Sequence, residues 1–311
     1  MKRIMTVTLN PAIDKTVTVD QLTVAGLNRI KEIRVDPGGK GINVAKVLLQ
    51  FGSPVNAWGF QAGMEGQLLM QMLEEIGIPS SFFQTPGKSR TNLKVVDETT
   101  KQTTELNEMG QQPSDQAIRE FLEAFEAEMK RTSILVLGGS LPPGLPQDFY
   151  RTLTEIAGKN GVRTLLDADG DALAAGIEAG PYAIKPNLHE LQLLVGQQLT
   201  SDEAIVTAAR KLLAGGTEYV AVSMGAEGAL IVHREGTFRT RPFPITPIST
   251  VGAGDSMVAA MAHCMNEEMP IEEMVRWMTA AGSITASKPG TDVCTLDEVL
   301  RKLSEVEVTR V

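Results

Sequence analysis

Four short apolar runs constrain the fold of this chain more than any other feature. Ser133–Leu137, Arg163–Leu166, Ala183–Ile184 and Glu218–Ser223 show almost no regular polar alternation. A strand with one wet face alternates with period two. Ile134-Leu135-Val136-Leu137 does not, so both of its faces must be covered, as in a parallel sheet between helices. The residues between and after the runs supply the covers. Their spacing predicts helices over Gln147–Lys159, Leu188–Val195, Ser201–Ala214, Ala253–Asn266, Ile271–Ser287 and Leu296–Val306. Earlier in the chain, Ile4–Thr8 reads as a first strand and Ile42–Gln50 as a helix ended by Gly52. Leu68, Leu69, Met72, Leu73 and Ile76 recur at helical spacing until Gly77 and Pro79. Ser114 caps a helix whose apolar face is Ile118, Phe121, Leu122, Phe125 and Met129. Strands alternating with helices predict an α/β fold with a mostly parallel central sheet.

Two stretches break that rhythm. Thr16–Val35 and Thr91–Leu106 have strand composition but no intervening helix. They predict a small second sheet, wet on one face, lying within 14–35 and 90–107 and serving as a lid.

The formal charge of −9 argues against nucleic acid as a bulk partner, since phosphate backbones are bound by basic surfaces. It does not exclude a small anionic substrate met by a few local arginines. No apolar run reaches the roughly 20 residues of a membrane span. The first residues lack the apolar core of a secretory signal, so cytoplasm is the expectation. Cys264 and Cys294 form neither a CxxC nor a disulfide framework.

The strongest local signal is Ser249-Thr250-Val251-Gly252-Ala253-Gly254-Asp255-Ser256 ahead of an apolar helix. Gly252, Ala253 and Gly254 would leave free N–H groups at a helix N-terminus, a site for negative charge. Asp255 there is either a plain helix cap or a general base beside an anion hole. Local sequence does not choose between them. Asp36-Pro37-Gly38-Gly39-Lys40-Gly41-Ile42-Asn43 is a second turn that allows close approach of a ligand, or else a tight strand-to-helix connection. Gly138-Gly139-Ser140-Leu141-Pro142 and Ser223-Met224-Gly225-Ala226-Glu227-Gly228 also follow apolar strands. Four such turns point to one shared binding edge at the carboxyl ends of a sheet. A P-loop and a dinucleotide fingerprint are both absent from the sequence.

Among the single polar residues, Asn187 and Glu190 share a face at a helix start. They suit Mg²⁺, or a capping box. Asp14 can bind hydroxyls or close an Asx turn. Arg29 and Arg90 flank the lid strands, and Arg is shaped for bidentate phosphate contacts.

Taken together and in order, Thr8-Leu9-Asn10-Pro11-Ala12-Ile13-Asp14, the Gly38–Ala45 turn, Gly139-Ser140-Leu141-Pro142, Lys185-Pro186-Asn187-x-x-Glu190 and Thr250–Ser256 resemble the ribokinase-like, PfkB-type carbohydrate kinases. The chain is most similar to their branch of 1-phosphofructokinases, tagatose-6-phosphate kinases and minor-type 6-phosphofructokinases. The resemblance spans essentially all of residues 1–311 and implies one kinase domain, a three-layer α/β/α sandwich with a β-sheet lid. It implies Asp255 as catalytic base, with Gly252, Ala253 and Gly254 offering N–H groups to the phosphoryl group. Asp14, Gly38, Gly39, Asn43 and Ser140 would face the sugar. Arg90, with Arg29 and Lys40, would neutralise its phosphate. Lys185, Asn187, Ser223, Gly225 and Gly228 would line ATP, with an adenine pocket near Ala281–Ser287. Asn187 and Glu190 would organise Mg²⁺ through water. A monovalent cation such as K⁺ would sit near Ser249, Ala286 and Gly290, where Lys288 and Asp292 are unexpected charges. Relatives pair through the lid, so a homodimer is expected.

The resemblance implies ATP-dependent phosphorylation of a ketohexose phosphate, fructose 1-phosphate first and tagatose 6-phosphate as rival. Leu27 and Asn28, where minor-type 6-phosphofructokinases often carry a lysine, disfavour that branch. Nucleoside kinases would leave Arg29 and Arg90 without a phosphate to bind. A different class, a non-catalytic sugar-phosphate sensor on the same scaffold, could dispense with Asp255, Asn187 and Glu190, yet all three are present.

Overall fold

The computed structural model describes residues 2–311. Its strands are β1 (Arg3–Thr8), β2 (Ala12–Val19), β3 (Glu32–Gly38), β4 (Val55–Gln61), β5 (Ser80–Gln84), β6 (Arg90–Asp97), β7 (Thr103–Asn107), β8 (Thr132–Gly138), β9 (Arg163–Asp167), β10 (Ala183–Ile184), β11 (Tyr219–Ser223), β12 (Ala229–His233), β13 (Gly236–Arg241) and β14 (Glu307–Arg310). Its helices are α1 (Lys40–Gln50), α2 (Gly63–Ile76), α3 (Asp115–Glu128), α4 (Phe149–Lys159), α5 (Gly170–Ile177), α6 (Leu188–Val195), α7 (Asp202–Ala214), α8 (Ala253–Asn266), α9 (Ile271–Ala286) and α10 (Leu296–Lys302).

A ten-stranded sheet runs β14-β13-β12-β11-β10-β9-β8-β1-β4-β5. The pairs from β11 through to β5 are parallel, and β11 to β14 form an antiparallel edge. The unbroken apolar runs have the predicted cause. Ile134 and Val136 enter one core with α1, α8 and α9, while Leu135 and Leu137 enter another with α3, α4 and α7. Successive side chains leave a strand on opposite faces, so two helical layers make both positions apolar.

The antiparallel strands β12–β14 and helix α5 go beyond the predicted elements. They are short, and α5 is rich in Ala and Gly, so periodicity had little to act on. Helix α1 starts at Lys40 rather than Ile42, because the glycine turn itself forms the first helical turn. Helix α4 starts later than predicted, at Phe149. Ser114 accepts the Ala117 N–H as the expected cap, and Gly77 ends α2 with φ 84°. Strand β10 stops after Ile184, two residues before Pro186, which has no N–H for a ladder.

The second sheet has four strands in the order β3-β2-β6-β7. The predicted stretch 14–35 proves to be two strands, with β2 beginning at Ala12 and an irregular segment over 20–31. β2 begins just after β1 ends, and β3 ends just before α1. The small sheet is therefore rooted at the carboxyl edge of the large one. No helix among the described residues is long and apolar enough to cross a membrane.

Candidate active site

The order reversal beside β1 puts the ends of β1, β8, β9, β10 and β11 along one crevice, where open parallel sheets bind ligands. Gly252 precedes α8 with φ 78°, a conformation that favours glycine. The first turn of α8 then brings Asp255 into the crevice, 7% exposed. Its Oδ2 accepts a hydrogen bond from Asn43 Nδ2 at 2.8 Å. Asp255 is therefore not tied up in a cap, since no side chain caps α8. Burial pushes its carboxyl up to about 6, with Asp167 adding to the rise and Lys40, Asn43 and Lys185 opposing it.

Asp167 sits at the end of β9, 3% exposed. Its Oδ1 accepts from Lys40 Nζ at 3.0 Å and lies 3.5 Å from Lys185 Nζ. Burial acts against its charge, but the two ammonium groups hold the carboxyl below its ordinary range. A Cβ added at Gly254 would lie 3.3 Å from Lys185 Nζ, so this ammonium stands at the mouth of α8. The sequence did not single out Asp167. Its only local mark is a carboxylate closing the apolar run Leu165-Leu166.

Lys40, expected beside Arg90 on a sugar phosphate, is instead bound to Asp167. It runs past Gly138, where an added Cβ would lie only 3.1 Å from its own Cβ. Burial works against its charge, yet Asp167, Asp255 and Glu190 together raise its pKa.

On the side of the small sheet, Asp14 is buried and accepts from Asn92 Nδ2 at 2.9 Å and Lys94 Nζ at 3.0 Å. Lys94 and Asn92 were also missed by sequence reading, because only the β2–β6 register brings them to Asp14. A Cβ at Gly38 would fall 2.5 Å from Asp14 Cγ, and one at Gly39 2.5 Å from Thr8 Cγ2. Arg90 donates to the carbonyls of Asn10 and Glu108, and Asn10 Nδ2 donates to Ser140 Oγ. Arg90 and Ser140 thus share one corner with Asp14's sheet.

Arg29 does not join them. It is exposed on the irregular segment beyond the far ends of β2 and β3, where Thr18 pairs Glu32. From Asp14 to Val19 the strand alone climbs about 16 Å. The sequence placed Arg29 by its nearness to lid strands, but the hairpin carries it away from the crevice.

At the ends of β10 and β11, Asn187 bridges Ser223 beside Lys185. Asn187 and Glu190 form a capping box: Asn187 Oδ1 accepts from the Glu190 N–H, and Glu190 Oε2 from the Asn187 N–H. Of the two expected readings, the capping box is the one this geometry forms, and Glu190 Oε1 lies outside it. Gly225 and Gly228 follow in the next turn with φ 58° and 86°. At Gly228 an added Cβ would meet the Thr240 carbonyl oxygen, so this glycine packs the turn onto β13. Ser249, Ala286 and Gly290 do come together. Ser249 Oγ donates to the Gly290 carbonyl at 3.0 Å, and Ser249 N–H to that of Ala286. Lys288 and Asp292 are engaged elsewhere, with Glu298 and Arg34.

A mostly parallel sheet between two helical layers, with a buried carboxylate at a helix mouth, two ammonium groups beside it and a small separate sheet at the carboxyl edge, defines a phosphotransferase of the ribokinase-like class. The model of the family "pfkB family carbohydrate kinase" matches residues 7–298. A 1-phosphofructokinase of Bacillus subtilis is 37% identical over 307 residues, 99% of each chain. The crystal structure of phosphofructokinase-2 from Escherichia coli with potassium superposes with a TM-score of 0.92 at 34% identity, covering 98% of this chain and 99% of that one. The same enzyme with fructose-6-phosphate gives 0.90 at 32% identity, over 98% and 99%. The chain belongs to the pfkB family of carbohydrate kinases and is an ATP-dependent sugar kinase.

Proposed function

We propose that the protein transfers the terminal phosphoryl group of ATP to the C6 hydroxyl of fructose 1-phosphate, giving fructose 1,6-bisphosphate and ADP. The observation that carries the chemistry is Asp255, buried at the mouth of α8, oriented by Asn43 and facing a site flanked by Lys40 and Lys185. The name of the Bacillus subtilis relative supports the substrate.

In this reading Asp255 takes the hydroxyl proton as the sugar oxygen attacks the terminal phosphorus. The bond from that phosphorus to the bridging oxygen breaks, and ADP leaves with the electron pair. A carboxyl titrating near 6 is ionised at neutral pH and still basic enough to accept a proton. Gly252 and Gly254 present N–H groups to the charge in flight, while the Ala253 N–H, expected beside them, is donated to the Thr250 carbonyl; Lys185 adds its ammonium. Asp14, Gly38, Gly39 and Asn43 face the sugar, while Arg90 and Ser140 face the phosphate it already carries. Asn187, Ser223, Gly225 and Gly228 line the nucleotide. Asn187 and Glu190 are hard oxygen donors that suit Mg²⁺ held through water. When bound, that ion neutralises phosphate charge. Ser249 and the carbonyls of Ala286 and Gly290 fit K⁺, because a carbonyl oxygen accepting one hydrogen bond keeps a second lone pair.

A coupled assay of ADP release over fructose 1-phosphate, tagatose 6-phosphate, fructose 6-phosphate and fructose tests the reading. The highest kcat/KM is expected with fructose 1-phosphate. A higher value with either 6-phosphate would replace the substrate. Binding without turnover of any sugar would make the protein a sensor.

The glycine at position 38 gives a prediction on the sugar side. Gly38→Ala pushes a methyl into the Asp14 carboxylate. It should raise KM for the sugar phosphate by about tenfold or more, the worth of one hydrogen bond to a charged group, with KM for ATP unchanged. Equal rises in both constants would remove Asp14 from the sugar site.

The small sheet serves as a lid in this reading and as the contact between two copies. Val24, Leu27, Ile33 and Leu106 on or beside it are 89%, 82%, 53% and 58% exposed. Pairing would cover these side chains and the open strand edges. Light scattering should show a dimer that becomes a monomer in Leu27→Asp/Ile33→Asp. A monomeric wild-type protein would overturn the lid contact.

A further inference from the structure

Lys46 lies about one turn after Asn43 on α1 and is only 8% exposed. A buried ammonium is tolerated only where acceptors replace water. Two do: Lys46 Nζ donates to the Pro37 carbonyl at 2.7 Å and to Asn43 Oδ1 at 3.4 Å. Asn43 then donates from Nδ2 to Asp255 Oδ2 at 2.8 Å.

The direction of this chain follows from what each group can do. An ammonium only donates, so the amide atom facing Lys46 must be oxygen. A carboxylate only accepts, so the atom facing Asp255 must be the amide nitrogen. Turning the amide over would create two repulsive contacts at once. Pro37 lies on β3, so the chain also links the small sheet to the crevice.

We infer that Lys46 is a positioning residue for phosphoryl transfer: through Asn43 it fixes the donor that orients the Asp255 carboxylate, and through Pro37 it ties that orientation to the place of β3. The inference rests on the reading of Asp255 as base. Lys46 is surrounded by Asp36 and Arg34 from β3, Asp14 from β2 and Asp255 from α8. Burial pulls its pKa down to about 8, Arg34 adding and the three carboxylates opposing. Around Asp255 stand Asp167, Lys40, Lys185 and Asn43. Loss of the ammonium frees the Asn43 amide to turn. Asp255 then loses a donor that favours its charged form, and its pKa rises.

The test is a pair of variants with full pH–rate profiles, checked for cooperative unfolding. Lys46→Met removes the ammonium and keeps an apolar stem. It should lower kcat by about 10- to 100-fold, the loss expected for one hydrogen bond to a charged group. KM for ATP should stay within about threefold, because only the transition state uses the oriented base, whereas KM for the sugar phosphate can rise with the turning of Asn43, which also faces the sugar. The acid limb of kcat should move to higher pH. Lys46→Arg should restore most of kcat and remove the wild-type decline above about pH 8. A folded Lys46→Met with unchanged kcat, or with an unmoved acid limb, overturns the inference. If Lys46→Met does not fold, the other two profiles decide: a wild-type alkaline decline that Lys46→Arg abolishes supports it, and coincident profiles overturn it. Asp255→Asn is measured alongside. Full activity there defeats the base itself, whereas an inactive Asp255→Asn beside an active Lys46→Met defeats only the role of Lys46.

Discussion

Asp255→Asn should lower kcat by about 10²- to 10⁴-fold, the usual contribution of a positioned general base. The amide keeps the shape and can still accept from Asn43, so KM should change little. The same variant should be at least as stable as the wild type near pH 8. The sign follows from the raised pKa, 3.8 to about 6. The folded protein holds the Asp255 proton more tightly than the unfolded chain does. The cost of ionising the buried carboxyl is absent below about 4, grows as pH rises through that window and is fully present above 6. Asparagine carries no such cost, so its advantage in Tm should exist at pH 8 and vanish near pH 4. Wild-type kcat should correspondingly fall as pH drops through 6. An Asp255→Asn enzyme within about threefold of wild type would remove the base from the mechanism. A variant both inactive and strongly destabilised would recast Asp255 as structural.

Asp167→Ala should cost about 3–5 kcal/mol of unfolding free energy, because it strands a buried cation rather than removing a whole pair. Lys185 is 6% exposed and lies 3.5 Å from the carboxylate that would vanish. Lys40 also loses its acceptor, but it is partly exposed and can turn to water. The cost should shrink in acid. Asp167 has a lowered folded pKa, so the stability it supplies is present above the unfolded value and is lost as pH falls through the folded one. Urea unfolding at pH 8 and pH 3 measures both effects. A cost below about 1 kcal/mol at pH 8 would mean that water replaces the carboxylate and that the three groups are not a coupled unit. Activity should fall as well, since Lys185 at the mouth of α8 would lose its anchor.

The two variants separate two kinds of buried carboxylate in one crevice. Asp167 meets two cations at 3.0 and 3.5 Å and is held ionised. Asp255 meets an amide and stays near the point of titration. Groups whose surroundings push their pKa values apart in this way suit different tasks, one holding cations in place and one moving a proton.

The sandwich could be read from local pattern because burial on both sides of a strand leaves its mark on consecutive residues. Ile134-Leu135-Val136-Leu137 carries that mark, and the two cores it enters account for it. Gly252, Gly254 and the capping box at Asn187 were legible for a similar reason: their chemistry is completed within a few residues. The edge strands β12–β14 and the helix α5 were not, because their residues meet no long periodic demand. Arg29 was assigned from its nearness to the lid strands and Lys40 from the resemblance; the hairpin sets Arg29 apart from Asp14, and Lys40 meets Asp167, 127 residues away in sequence.

What the sequence determined by itself was the covered parallel sheet and the glycine turns along its carboxyl edge, since backbone freedom and burial are written residue by residue. Only the tertiary structure decided which charges meet. Asn43 and Asp255 are 212 residues apart, and Lys40 and Asp167 are 127 apart. Coulomb forces and desolvation depend on distance in space and on depth from water, and neither has a signature in the spacing of residues along the chain.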